Sequence, residues 1–196
     1  SPALEAILLA LQANKVPVAW SFAYFSLKPL ANWFTDLAKR YEFFHVWSLK
    51  GLPFSFWIGA FTYPTGFTTS LLQRFSRKAS GAPIDKLEFD FVPVPKEPNE
   101  INEHPKDGAF ISGLFLEGAK WNPEKLCLAE PEVMELSCPM PVLHFKPIQK
   151  RTKPPQNMYE CPCYYYPTRS GTVSKDSFML KVDLKAGDYS PEFWVK

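Results

Sequence analysis

The sequence predicts an α+β fold in which an N-terminal helical segment, residues 1–80, packs on a small antiparallel β-barrel of about five or six strands, residues 81–196. Three observations predict it. Apolar residues recur at three- and four-residue steps as far as Phe75. From Ile84 onward the period shortens to two. No later strand-like run is followed by a helix-length segment, so a parallel sheet would lack its crossovers.

The first helix is marked by Leu4, Ile7, Leu8 and Leu11, begins near Pro2 and ends at Asn14 and Pro17. Val18 to Phe25 is short and aromatic. Pro29 suits the first turn of a second helix, because its missing N–H is not needed there. Leu30, Trp33, Phe34, Leu37, Tyr41, Phe44 and Leu49 line one stripe of that helix, while Asp36, Lys39, Arg40 and Glu42 lie mostly off it. From Pro29 to Ser48 it would span about 30 Å. Gly51-Leu52-Pro53 reads as a turn, and Phe54 to Phe61 as an apolar segment too short to assign. Thr65 is placed to cap a third helix that buries Phe67, Leu71, Leu72 and Phe75, with Arg74, Arg77 and Lys78 near its C-terminal end and Ser80-Gly81 closing it.

Leu87, Phe89 and Phe91 alternate with Glu88, Asp90 and Val92 as a half-buried strand. Pro95 to Pro105 is a charged, Pro-rich loop. Further strands are read at Ala109–Glu117, Leu126–Leu128, Val142–Phe145, Tyr159–Tyr166 and Phe178–Leu184. Gly108, Gly113 and Gly118 punctuate a bulky stretch ending at Trp121, which is the pattern of a tightly curved sheet. Pro141 and Pro162 suit edge strands or bulges.

Composition narrows the function. About one residue in six is aromatic, with 17 Phe, 8 Tyr and 6 Trp, so part of the apolar surface is expected to face a partner. The 22 Lys and Arg against 20 Asp and Glu give a net charge of +2 with no long basic run, which argues against nucleic acid. Without an uninterrupted apolar stretch of about 20 residues the sequence offers no membrane span. Four Cys outside any leader-like context make a reducing intracellular compartment the default. The start on a helix without Met reads as a piece of something longer.

No motif carries chemistry. A phosphate loop and a GxGxxG turn after a strand are both missing, so neither a catalytic residue nor a nucleotide or other cofactor is expected within these residues. Cys161 and Cys163 would share one face of a strand, but a zinc site would need His144, Cys127 or Cys138 to arrive by the accident of folding. His45 reads as a packing residue, and His104 lies in the Pro-rich loop.

A resemblance does emerge. Val16-Pro17, Trp20, Tyr24, Ser26-Leu27-Lys28-Pro29-Leu30, Trp33, Asp36-Leu37, Arg40 and Trp47 resemble the region beyond the sixth AAA module of dynein heavy chains. So do Phe56-Trp57-Ile58, Phe61, Gly66-Phe67-Thr68-Thr69 and Arg77-Lys78. The most distinctive match is Asp107-Gly108 with Gly113-Leu114-Phe115-Leu116-Glu117-Gly118-Ala119 and Trp121, followed by Met140-Pro141-Val142, Cys161-Pro162 and Arg169-Ser170-Gly171-Thr172. The Ser-Leu-Lys-Pro-Leu and Leu-Glu-Gly-Ala runs look axonemal in type.

The resemblance implies a non-catalytic structural or regulatory domain against the AAA ring of a minus-end-directed microtubule motor in cilia or flagella. ATP and Mg would belong to upstream modules. Partners would be the AAA modules of the same polypeptide, microtubules through upstream elements, and other axonemal dynein chains, with no nucleic acid and no membrane. Ring contacts are expected at Trp20, Tyr24, Arg40, Trp47, Trp57 and Arg74, and barrel shaping at Gly108, Gly113, Gly118, Trp121, Pro141, Pro162 and Gly171. The family has a longer loop between Ser174 and Phe178, and it continues past a Trp like Trp194 into a last apolar strand. A barrel incomplete at its C-terminal end, with an edge open around Phe178 to Leu184, follows. The alternative function is a partner- or peptide-binding adaptor that uses a barrel edge such as Val142 to Phe145 for strand addition.

Overall fold

Helices α1 (Pro2–Gln12) and α3 (Leu30–Lys50) form where the 3.6-residue period runs, and the short aromatic segment between them, which has no such period, forms α2 (Val18–Ala23). The computed structural model describes residues 1–24, 26, 28–153, 155–165 and 177–195. They divide into two units, residues 1–51 with 164–178 and residues 52–163 with 179–196.

In the first unit, proline sets both later helix starts. Pro17 and Pro29 stand at the N-caps of α2 and α3, and neither cap uses a side-chain hydrogen bond. At the far end of α3, Gly51 donates its N–H to Trp47 O and turns the backbone at φ 86°. The core of this unit is small: Val16, Tyr24 and Trp33 are buried, with Trp20, Leu30 and Leu37 packed around them. The stripe expected to seal α3 stays largely open, because only Trp33 of that helix is buried.

The second unit opens with strand β1 (Ser55–Trp57) and helix α4 (Pro64–Phe75), which runs into a π-turn, Ser76–Ser80, stopped by Gly81 in the left-handed conformation. Thr65 does not cap α4. Pro64 fills the first turn and Tyr63 is the N-cap. Phe67, Leu71, Leu72 and Phe75 are half-buried rather than buried, and Pro64 and Thr68 are the buried residues of the helix.

Strands β2 (Leu87–Val94), β3 (Ala109–Ser112), β4 (Phe115–Glu117), β5 (Lys120–Asn122), β6 (Cys127–Ala129), β7 (Ser137–Pro139), β8 (Val142–Gln149), β9 (Met158–Tyr164) and β10 (Phe178–Lys185) follow. One sheet has the order β1-β3-β8-β2, and three two-stranded ribbons pair β4 with β7, β5 with β6 and β9 with β10. The main core lies on the four-stranded sheet, where Phe145, Ile111 and Leu143 are wholly buried. Phe145 packs between Phe89 at 5.5 Å and Phe91 at 4.9 Å, the latter ring edge to face.

The closed antiparallel barrel expected from the sequence is overturned, since the sheets are open and separate. The ladders of β4 with β7 and of β5 with β6 are each three residues long. Gly113 and Gly118 turn the backbone between successive short strands at positive φ, so each ladder ends instead of bonding onward to the next sheet. The sheet is not purely antiparallel either. Ser55–Trp57, unassignable from its length, pairs parallel to Phe110–Ser112. The expected edge at Val142 to Phe145 is likewise corrected, because β8 lies between β2 and β3, pairing Val142 with Val94 and Ala109 with Phe145.

Arg151, just beyond β8, ties β2 to β10. Its guanidinium bonds Asp90, reaches Asp183 at 3.3 Å and lies 3.6 Å from Glu88, while its N–H donates to Glu88 at 3.0 Å. Asp183 is raised above the ordinary carboxylate range, first by burial and then by the nearby Glu160, Glu88 and Asp90, against the pull of Arg151.

Candidate functional site

Three of the six residues expected to contact a ring meet around Trp33. The indole of Trp20 stacks on that of Trp33 at 6.0 Å and 21°, and the ring of Tyr24 meets it edge-on at 5.5 Å. Trp33 Nε1–H donates to Tyr24 O at 3.1 Å, which fixes the segment after α2 against the first turns of α3. Arg40 places its guanidinium 4.7 Å above the Tyr24 ring, a cation–π contact.

Asp36 joins these parts. Its carboxylate accepts hydrogen bonds from the Tyr24 hydroxyl and, at 2.6 Å, from Lys28 Nζ. Burial, followed by the bond to Asp36, pushes the Tyr24 phenol up to about 12. Burial works against the Asp36 carboxylate, but the hydrogen bonds from Lys28 and Tyr24 with the charges of Lys28 and Arg40 outweigh it and hold the carboxyl below its ordinary value. A phenol kept protonated and a carboxylate committed to two donors make a structural latch, not an acid–base pair.

Of the other three candidates, Trp47 belongs to the same unit, and Trp57 and Arg74 belong to the sheet unit. Trp47 sits near the end of α3, edge-on to Phe43 at 5.9 Å and stacked with Phe44 at 5.9 Å. Trp57 ends β1 and covers two glycines: a β-carbon at Gly113 would lie 2.4 Å from its Cδ1 and one at Gly59 2.9 Å from its Cε2. Arg74 is exposed in the last turn of α4.

The residues expected to shape a barrel lie in the open sheets. Gly108 precedes β3 at φ 79°, where a β-carbon would fall 1.9 Å from the carbonyl oxygen of Phe145. Gly113 joins β3 to β4 and Gly118 joins β4 to β5. Trp121 pairs with Leu128 across β5 and β6. Pro141 leads into β8, and Pro162 is exposed on β9. Gly171, with the rest of Arg169 to Thr172, lies outside the described residues, as do Leu27 and Tyr166.

Cys161 and Cys163 do share the half-buried face of β9. Burial pushes their thiols up to about 11 and about 12, which keeps them protonated and poorly nucleophilic. His45 stacks on Tyr41 at 5.5 Å, His104 packs against Phe54 at 4.7 Å, and His144 Nε2 lies 2.8 Å from Asp107 O. Each histidine thus has a packing or hydrogen-bonding role.

Sequence reasoning expected apolar surface facing a partner but did not single out the helix residues that carry it. Phe34 is 63 % exposed and Leu49 71 %, while α1 buries none of its residues and leaves Leu4 at 67 %. Phe22 on α2 is 74 % exposed. The signal was present as the breadth of the stripe, which is wider than one small core can cover.

The family model for the C-terminal domain of dynein heavy chains matches residues 1–196. The sequence is 47 % identical over 192 residues to the dynein-1-beta heavy chain of the flagellar inner arm I1 complex of Chlamydomonas reinhardtii, spanning 98 % of this chain and 4 % of that protein. It is 42 % identical over 197 residues to human dynein axonemal heavy chain 2 and 39 % over 202 residues to human dynein axonemal heavy chain 1, spanning all of this chain and 4 % and 5 % of those proteins. It therefore spans only about one twentieth of the length of these relatives. With a whole-length family match and these identities, the protein belongs to the family of C-terminal domains of dynein heavy chains.

Proposed function

We propose that this chain is the ring-facing structural and regulatory domain of an axonemal dynein heavy chain, working in the cilium or flagellum. It packs against the AAA modules of its own polypeptide, in which ATP and Mg are bound and from which the microtubule is reached. It stands beside other dynein chains of the axoneme.

The observation that carries this reading is the apolar surface of α1 and α3 left open to solvent. Partly exposed side chains such as Phe34 and Leu49 contribute up to about 2 kcal/mol each when covered, so a host surface over them is favoured. Trp20, Tyr24 and Arg40 keep the helical surface in shape from within, and the half-buried Trp20 and Arg40 offer their outer edges to the ring. Trp47, Trp57 and Arg74 extend the contact.

The test replaces Phe34 and Tyr41 by Ser in the full-length heavy chain. Both side chains are exposed, so the domain itself should fold. The expected result is loosened attachment, read as higher amide exchange along Leu30–Lys50, together with altered microtubule-stimulated ATPase. Unchanged exchange and unchanged motor output would remove the proposal.

A further inference from the structure

Between β6 and β7 the sequence runs Glu130-Pro131-Glu132-Val133-Met134-Glu135-Leu136. Val133 is 94 % exposed, Met134 92 % and Leu136 84 %, more than any other large apolar side chain among the described residues. One exposed apolar residue is ordinary, but three within four positions on a single tip form a patch that water alone does not favour.

The tip is held in shape. Glu135 N–H donates to Glu132 O at 3.0 Å, and Glu132 N–H donates back to the Glu135 carboxylate at 3.2 Å. Lys120 on β5 pairs with Glu132, so the turn is tied to the strand beneath it. Met134 takes φ 70°, a conformation that ordinarily selects Gly or Asn and strains a larger residue by about 1 kcal/mol or more. A turn needing only to reverse the backbone would gain by losing this side chain, whereas a fixed tip that presents an adaptable thioether suits insertion into a pocket.

Charge selects the pocket. Glu130, Glu132 and Glu135 surround the apolar tip, and Lys120 offsets one of them. We propose that residues 132–136 are a docking knob whose Val133, Met134 and Leu136 enter an apolar pocket rimmed by Lys or Arg on a protein surface. An acidic surface or an anionic lipid headgroup layer would be repelled. The knob belongs to the sheet unit and does not depend on the helical surface described above.

The experiment places the photo-crosslinker p-benzoylphenylalanine at Val133 of the full-length heavy chain in its native complex. The expected adduct maps to a protein segment whose apolar pocket is ringed by Lys or Arg. Its yield should fall at least about fivefold, equivalent to about 1 kcal/mol, with Glu130→Lys and with Met134→Gly. Met134→Gly relieves the backbone rather than disrupting it, so the fall should come with unchanged or raised thermal stability. An adduct with lipid or with a net acidic surface would overturn the proposal. So would the lack of any protein adduct, or a yield insensitive to either substitution.

Discussion

At Gly108 the backbone of one strand passes so close to the next that no β-carbon fits. The obstacle is the Phe145 carbonyl oxygen, 1.9 Å from where that carbon would stand, and a backbone atom in the middle of β8 cannot swing aside as a side-chain tip could. Gly108→Ala should therefore cost about 3 kcal/mol or more, combining the strain of positive φ with overpacking against the best-buried strand. Urea unfolding monitored on the sheet unit measures it. A change below about 0.5 kcal/mol would mean that the two strands can separate freely. Gly113 differs in kind, because its obstacle is the indole of Trp57, a side chain able to turn.

Helix α3 depends on a charge more than its length implies. Asp36 collects Lys28 and Tyr24 onto the helix, and its carboxyl is held below the ordinary range. A depressed carboxyl contributes stability that is fully present above its unfolded value, near 3.8, and is lost as pH falls through the lower folded value. Acidification below about pH 4 should therefore weaken the Trp20–Trp33 stack, seen as loss of near-ultraviolet circular dichroism, before the sheet unit melts. In Asp36→Asn this acid-side transition should vanish, and an unaltered transition would assign the loss to other groups. α3 itself was legible from Pro29 and the apolar period, and β2 from its strict alternation. The latch was only half legible. Trp33, Asp36 and Arg40 stand at turn-like spacing on one helix, but Tyr24 and Lys28 join them through a bend that periodicity does not encode. β1 was illegible because three residues carry no period and their pairing is decided by a partner elsewhere in the sequence. The closed barrel failed for a related reason: alternation marks a strand but does not say where its ladder stops.

Across the whole molecule, burial is uneven. The unit of residues 1–51 and 164–178 has a buried apolar core of Val16, Tyr24 and Trp33, whereas the sheet unit owns most of the buried apolar residues. Local opening free energy follows such buried contacts. In the domain on its own, the amides of α3 should exchange at least about tenfold faster than those of β8 by hydrogen–deuterium exchange. Equal protection would show that the helical unit is stable without a host surface.

The parallel pairing of β1 with β3 also sets a schedule for synthesis. Ser55 leaves the ribosome 55 residues before its partner Phe110, an interval of roughly 3–11 s at about 5–20 residues per second. During that interval Trp57 has neither its paired strand nor Gly113 to lie on, so an aromatic edge is on offer to chaperones or neighbouring nascent polypeptides. Slowing translation across residues 58–109 would lengthen that exposure without altering the finished fold. A synonymous codon change in this stretch could thus lower the yield of a protein whose sequence is untouched.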